Sequence, residues 1–183
     1  MITDRHKGNS RNRMTSLVLS LLLIGLAITG VAILTGNAAG GHSPTPQNFK
    51  VAFIGDLGIG SSEVAVLNLI KAEGAGMVLH QGDLTYTDDP AGWEAQINSV
   101  LGSEFPYFAS VGNHDSAQWT DFQSLLLARL NNVDGATCVG DLGVNSACAY
   151  KGLFFILSGV GTLGTGHEQY IADQLVADNS IWK

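Results

Sequence analysis

The chain has 183 residues and a formal net charge of −7, split unevenly along its length. Residues 1–16 carry Arg5, Lys7, Arg11 and Arg13 against Asp4, a net +3, whereas residues 42–183 carry five Lys/Arg against fifteen Asp/Glu, a net −10. An acidic domain with no basic cluster argues against nucleic acid as a partner and makes multivalent cations the natural complement of its clustered acids.

Residues 17–34 are a run of 18 without a charge. That length is at the lower limit for crossing a bilayer and above the usual apolar core of a signal peptide. Small residues at 36–39 offer a signal peptidase a cleavage site, so the run reads as an uncleaved signal anchor or a cleaved signal peptide. Nothing polar gives it a second face, which argues against a buried helix of the globular domain. Either way 1–16 is expected as a basic cytoplasmic flank, 17–34 at the membrane, and 42–183 on the extracytoplasmic side. Residues 35–48, with Gly40, Gly41, Pro44 and Pro46, read as a linker.

The globular part is expected over 49–183. A strand over 49–54 leads through glycines to a helix over 61–73, which Ser61, Ser62 and Glu63 can cap. A strand over 77–81 follows, then a helix over 90–101 with Pro90 in its first turn and Trp93, Ile97 and Leu101 on one face. Pro106 precedes a strand over 107–111, and 118–130 reads as another helix. Residues 138–150 are irregular or a hairpin, 153–157 a strong strand, 159–166 a loose glycine-rich loop, and a helix then runs through Asp178. Residues 181–183 look like the opening of one more strand, so the domain is expected to be cut short there. Cys138 and Cys148, ten apart in a segment bound for an oxidising compartment, can close a short loop; two partly buried free thiols are the alternative.

Three of these strands end alike. Residues 51–54 run into Gly55-Asp56, 77–79 into Gly82-Asp83, and 107–111 into Gly112-Asn113, at intervals of 27 and 30 residues between the polar positions. In a parallel sheet all three ends lie on one edge, where open α/β sheets build their sites. A dinuclear hydrolase needs one carboxylate shared by two cations about 3.5–4 Å apart, with other ligands for each ion. Asp83, on the middle strand in sequence, is the natural bridge, with Asp56 serving one metal and Asn113 the other. Tyr86 can turn its phenol back to the same cluster. His114 is placed to reach a substrate phosphate and protonate the leaving alkoxide.

Gly55-Asp56-Leu57-Gly58, Gly82-Asp83-Leu84-Thr85-Tyr86 and Gly112-Asn113-His114-Asp115 resemble the first three motifs of calcineurin-like metallophosphoesterases. Gly58, where many relatives carry histidine, and Tyr86, three residues after Asp83, are similar to the purple acid phosphatase branch. The resemblance covers about 49–183 and implies an αββα sandwich, represented by its first half. It also implies two metal ions, Fe(III) with Fe, Zn or Mn, and a small phosphorylated substrate. Asp56 and Tyr86 would hold the ferric ion, Asp83 would bridge, Asn113 would hold the second metal, and His114 would assist the phosphate. The implied activity is hydrolysis of phosphate monoesters, or alternatively of diesters or nucleotides. The family completes its site with later histidines, including a Gly-His-x-His pair that this chain lacks, and His167 precedes a helix, so it is given no metal. A chain that truly ended at Lys183 would instead suit a membrane-anchored binding module without catalysis.

Other features have plainer readings. His80 lies on a strand and suits a packed or hydrogen-bonded role, and His6 and His42 lie in solvated flanks. Asp88, Asp89 and Asp115 suit loop or cap positions. The run Gly58-Ile59-Gly60-Ser61-Ser62 lacks the Gly-Lys-Ser/Thr of a phosphate-binding loop.

Overall fold

The computed structural model describes residues 45–180 and 182–183. The basic flank, the apolar run 17–34 and most of the linker lie outside the described residues. Among the described residues no helix is long and apolar enough to cross a membrane.

The first half alternates strand and helix: β1 (Val51–Ile54), α1 (Ser61–Ala72), β2 (Met77–His80), α2 (Pro90–Val100), β3 (Tyr107–Ala109) and α3 (Trp119–Leu130). The strands form one parallel sheet in the order β1-β2-β3, with Ile54 opposite His80 and His80 opposite Ala109. β2 is the central strand and is almost wholly buried. The second half is antiparallel: β4 (Thr137–Asp141), β5 (Asn145–Tyr150) and β6 (Leu153–Ser158) form a separate sheet in sequence order, followed by α4 (His167–Ala177).

Side-chain alternation along β3 joins the layers. Tyr107 points to the helices, edge-on to Trp93 of α2, which meets Phe122 of α3. Phe108 points the other way, against Tyr150 of β5 and Phe155 of β6. α4 packs on β5 and β6, where Ala147 and Phe154 are buried outside the main core cluster. The order is therefore helices, parallel sheet, antiparallel sheet, helix.

Several expectations change in detail. The segment 138–150 is a true hairpin: Cys138 pairs directly with Cys148 across β4 and β5, and the two form a disulfide. The capping of α1 by Ser61 and Ser62 does not occur. Gly60 is the N-cap without a side-chain partner, and its amide donates to Gln96 Oε1 of α2 at 2.8 Å while Gln96 Nε2 donates to the Gly58 carbonyl at 3.1 Å. The glycine turn is thus tied down by a neighbouring helix. Asp89 does cap α2, accepting from the Gly92 amide at 2.8 Å behind Pro90. β3 ends two residues early because the Val111 amide turns to the Gly143 carbonyl of the second sheet. Trp182 makes one parallel bridge to Leu153, beside β6.

Candidate metal centre

The three motif loops leave the same edge of the parallel sheet, and backbone hydrogen bonds lace the first to the second. The amides of Asp56, Leu57 and Gly58 donate to the carbonyls of Gly82, Asp83 and Leu84 at 3.1–3.2 Å. The second and third loops meet at their glycines. A Cβ on Gly82, whose φ is +91°, would fall 2.9 Å from the Gly112 Cα, and a Cβ on Gly112 would strike the amide and Oδ1 of Asp83. Only glycine at both positions allows that approach.

Asp115 fixes the same junction from below. Its Oδ1 accepts from the Leu84 amide and its Oδ2 from the Gly112 amide, both at 2.8 Å, and the residue is fully buried. Burial pushes its pKa up, and the amides of Gly112, Leu84 and Thr85 pull it back. The sequence suggests only a loop or cap role for Asp115. Its spacing after Asn113 gives no hint that it clamps a loop 31 residues away.

Asp56 and Asp83 both have φ of +53°. Left-handed backbone at a non-glycine residue costs about 1–2 kcal/mol, and aspartate tolerates it better than most. The conformation turns each side chain off the strand end. Asp56, Asp83 and Asn113 then line one cleft of about 340 Å³ together with Ser110, Ser158, Val160 and Thr162. Asp83 Oδ1 accepts from the His114 amide at 3.1 Å.

Tyr86 joins this group through Asp56. It is half exposed, and its hydroxyl donates to Asp56 Oδ1 at 2.5 Å. That hydrogen bond, followed by desolvation and then the negative charges nearby, pushes its pKa up to about 12. The ring of His114 lies against the Tyr86 ring, centroids 4.6 Å apart, so His114 reaches the site on the Tyr86 side and is not among the residues lining the cleft. His80 is packed as expected: Nδ1 is 2.8 Å from Tyr107 Oη, and burial lowers its pKa to about 4.

Among the described residues no three His, Cys, Asp or Glu side chains converge into a metal-holding group. The donors present are two carboxylates, a phenol and an amide. These hard oxygens suit a hard, highly charged cation, and two of them already converge in the Asp56–Tyr86 contact. The residues therefore fit part of such a site.

The family model for calcineurin-like phosphoesterase matches residues 49–182. The chain belongs to the calcineurin-like phosphoesterase family. Among solved structures it is similar to the purple acid phosphatase PPD1 isolated from yellow lupin (Lupinus luteus) seeds, with 17% sequence identity and a TM-score of 0.44. That alignment covers 73% of this chain and 28% of the phosphatase, so the chain spans less than a third of that protein's length. No curated protein matches the sequence. Membership in the calcineurin-like family gives the laced loops a chemical context, since each carries a polar side chain to the same rim.

Sequence reasoning missed the far wall of the cleft. It left 159–166 as a loose glycine-rich loop, yet Val160 and Thr162 line the cleft beside Asp83 and Asn113. The position of that loop directly after a strong strand was the available signal.

Proposed function

We propose that the chain supplies the first three motifs of a metal-dependent phosphoester hydrolase that cleaves phosphate monoesters at a dinuclear site of the purple acid phosphatase kind. The observation that carries this reading is the meeting of Asp56, Asp83 and Asn113, from three separate loops, in one cleft. Asp56 and Tyr86 would hold one ion, Fe(III), Asn113 would hold the second, Fe, Zn or Mn, and Asp83 would serve both. When bound, the cations polarise the phosphoryl oxygens and lower the pKa of water. For Tyr86 to bind as a phenolate, the proton it now donates to Asp56 must leave, and that contact supports a common role for the two oxygens. His114, whose ring lies tilted against that of Tyr86, donates a proton to the departing alkoxide. The Cys138–Cys148 disulfide supports an extracytoplasmic placement for the domain, with 17–34 as a signal anchor or a cleaved signal peptide.

A rival reading, a membrane-anchored binding module without turnover, is favoured by one observation. Among the described residues, no three His, Cys, Asp or Glu side chains form a metal-holding group. Substituting Asp83→Ala separates the two. The hydrolase reading expects manganese affinity of the full chain to fall by at least about a hundredfold, because a shared ligand and not merely its support is lost. Hydrolysis of p-nitrophenyl phosphate falls with it, and faster turnover of bis(p-nitrophenyl) phosphate by the unsubstituted chain would move the assignment to diesters. Unchanged manganese affinity would remove the hydrolase reading.

A further inference from the structure

The cleft presents an electrostatic problem. Its lining contains two carboxylates and no Lys or Arg, so an anionic ester needs neutral hydrogen-bond donors in addition to any cation. Ser158 is such a group. It ends β6, is half-buried, and lines the cleft with Asp56, Asp83 and Asn113. The backbone holds it firmly. The Gly159 amide donates to the Val144 carbonyl at 2.7 Å, and the amides of Thr162 and Leu163 both donate back to the Gly159 carbonyl at 2.9 Å. A Cβ on Gly159 would come 2.6 Å from Val111 Cγ1, which places this turn directly beside the third motif.

Behind Ser158 stands His167, the first residue of α4. Its Nδ1 is 3.2 Å from Ser158 Oγ, and the residue is 9% exposed. Its Nε2 is buried with no partner among the described residues. A neutral imidazole carries one ring proton. On Nε2 that proton would make an orphaned buried donor, which is the rarer and costlier case. On Nδ1 the N–H instead donates to Ser158 Oγ, and Nε2 is left as an unfilled acceptor. Ser158 Oγ then accepts from His167, and its own O–H is free to donate into the cleft.

We propose that Ser158 is a substrate-binding residue that donates its hydroxyl to a non-bridging oxygen of the bound phosphate ester, and that His167 is the positioning residue that orients it. This rests on the hydrolase reading above for the presence of a phosphoryl group in the cleft. The test uses the full chain loaded with Mn(II), titrated calorimetrically with inorganic phosphate, with manganese affinity measured separately by electron paramagnetic resonance. Ser158→Ala is expected to weaken phosphate binding about tenfold, the loss of one hydrogen bond to a charged oxygen, with manganese affinity unchanged. His167→Phe, which keeps the bulk, is expected to reproduce that loss. His167→Asn, which keeps a donor near the Nδ1 position, is expected to restore most of it, an outcome that a purely packing role would not produce. Wild-type phosphate affinity in Ser158→Ala overturns the proposal and leaves the hydrolase reading intact. Equal affinities in wild type and His167→Phe overturn the role of His167. Failure of the unsubstituted chain to take up Mn(II) removes the hydrolase reading, and this proposal with it.

Discussion

The two sheets contribute to the cleft in different ways. The parallel sheet delivers its polar groups from strand ends: Asp56, Asp83 and Asn113 each follow a glycine just past a strand, with backbone hydrogen bonds joining the first loop to the second and the Asp115 carboxylate joining the second to the third. The antiparallel sheet delivers a wall, through Ser158 and the turn after β6, and its strands are held by tight pairing and the Cys138–Cys148 bridge. Parallel strands all point one way, so three of them can place like residues on one rim. Antiparallel neighbours alternate, so only every second strand ends there. One half of the domain thus gathers polar side chains at one rim, and the other walls the cleft they line.

The largest expected effect falls on the helices that cover the parallel sheet. Arg129 of α3 is fully buried; its Nη2 donates to Glu94 Oε1 of α2 at 2.7 Å and to Asn98 Oδ1, and its Nη1 donates to the Gly102 carbonyl at 2.8 Å. Arg129→Met leaves the little-exposed Glu94 carboxylate without its counter-charge and with only the Asn98 amide as a side-chain donor, and urea unfolding should show a loss of about 3–5 kcal/mol. A smaller loss is expected in the other half. Opening the Cys138–Cys148 bridge with reductant, or by replacing both with alanine, frees a loop of ten residues and should cost about 2–3 kcal/mol on chain-entropy grounds. Manganese affinity should stay unchanged in that experiment. A parallel fall in affinity would show that the two halves do not work independently.

The smallest stability change, accompanied by a functional one, is expected where the motif loops meet. Asp115→Asn keeps the shape but replaces one carboxylate acceptor with a donor, so the amide of Leu84 or Gly112 loses its partner. Thermal unfolding should register about 1–2 kcal/mol. Manganese affinity should drop by about tenfold, because Asp83 and Asn113 ride on the two loops that Asp115 joins. A stability loss without any change in manganese affinity would mean that Asp115 supports the fold alone.

Much of this was legible in the residue order. The apolar runs ending at Ile54, at Leu79 and at Val111, each followed by glycine and a hard oxygen donor, sufficed to place Asp56, Asp83 and Asn113 on one sheet edge, because side-chain period and parallel connection leave few other topologies. The spacing of Tyr86 from Asp83 pointed to the same cluster, and the structure joins its hydroxyl to Asp56. The layered α/β order was implied by the resemblance of the three motifs to calcineurin-like metallophosphoesterases. What the sequence could not determine were contacts between residues far apart in the chain. Asp115 clamping Leu84, Gln96 tying down the Gly58–Gly60 turn, and the Gly159 turn abutting Val111 all depend on two elements packing at a particular distance. No local pattern records that distance. Periodicity fixes which face a residue presents, whereas the partner it meets is decided only when the sheets and helices close on one another.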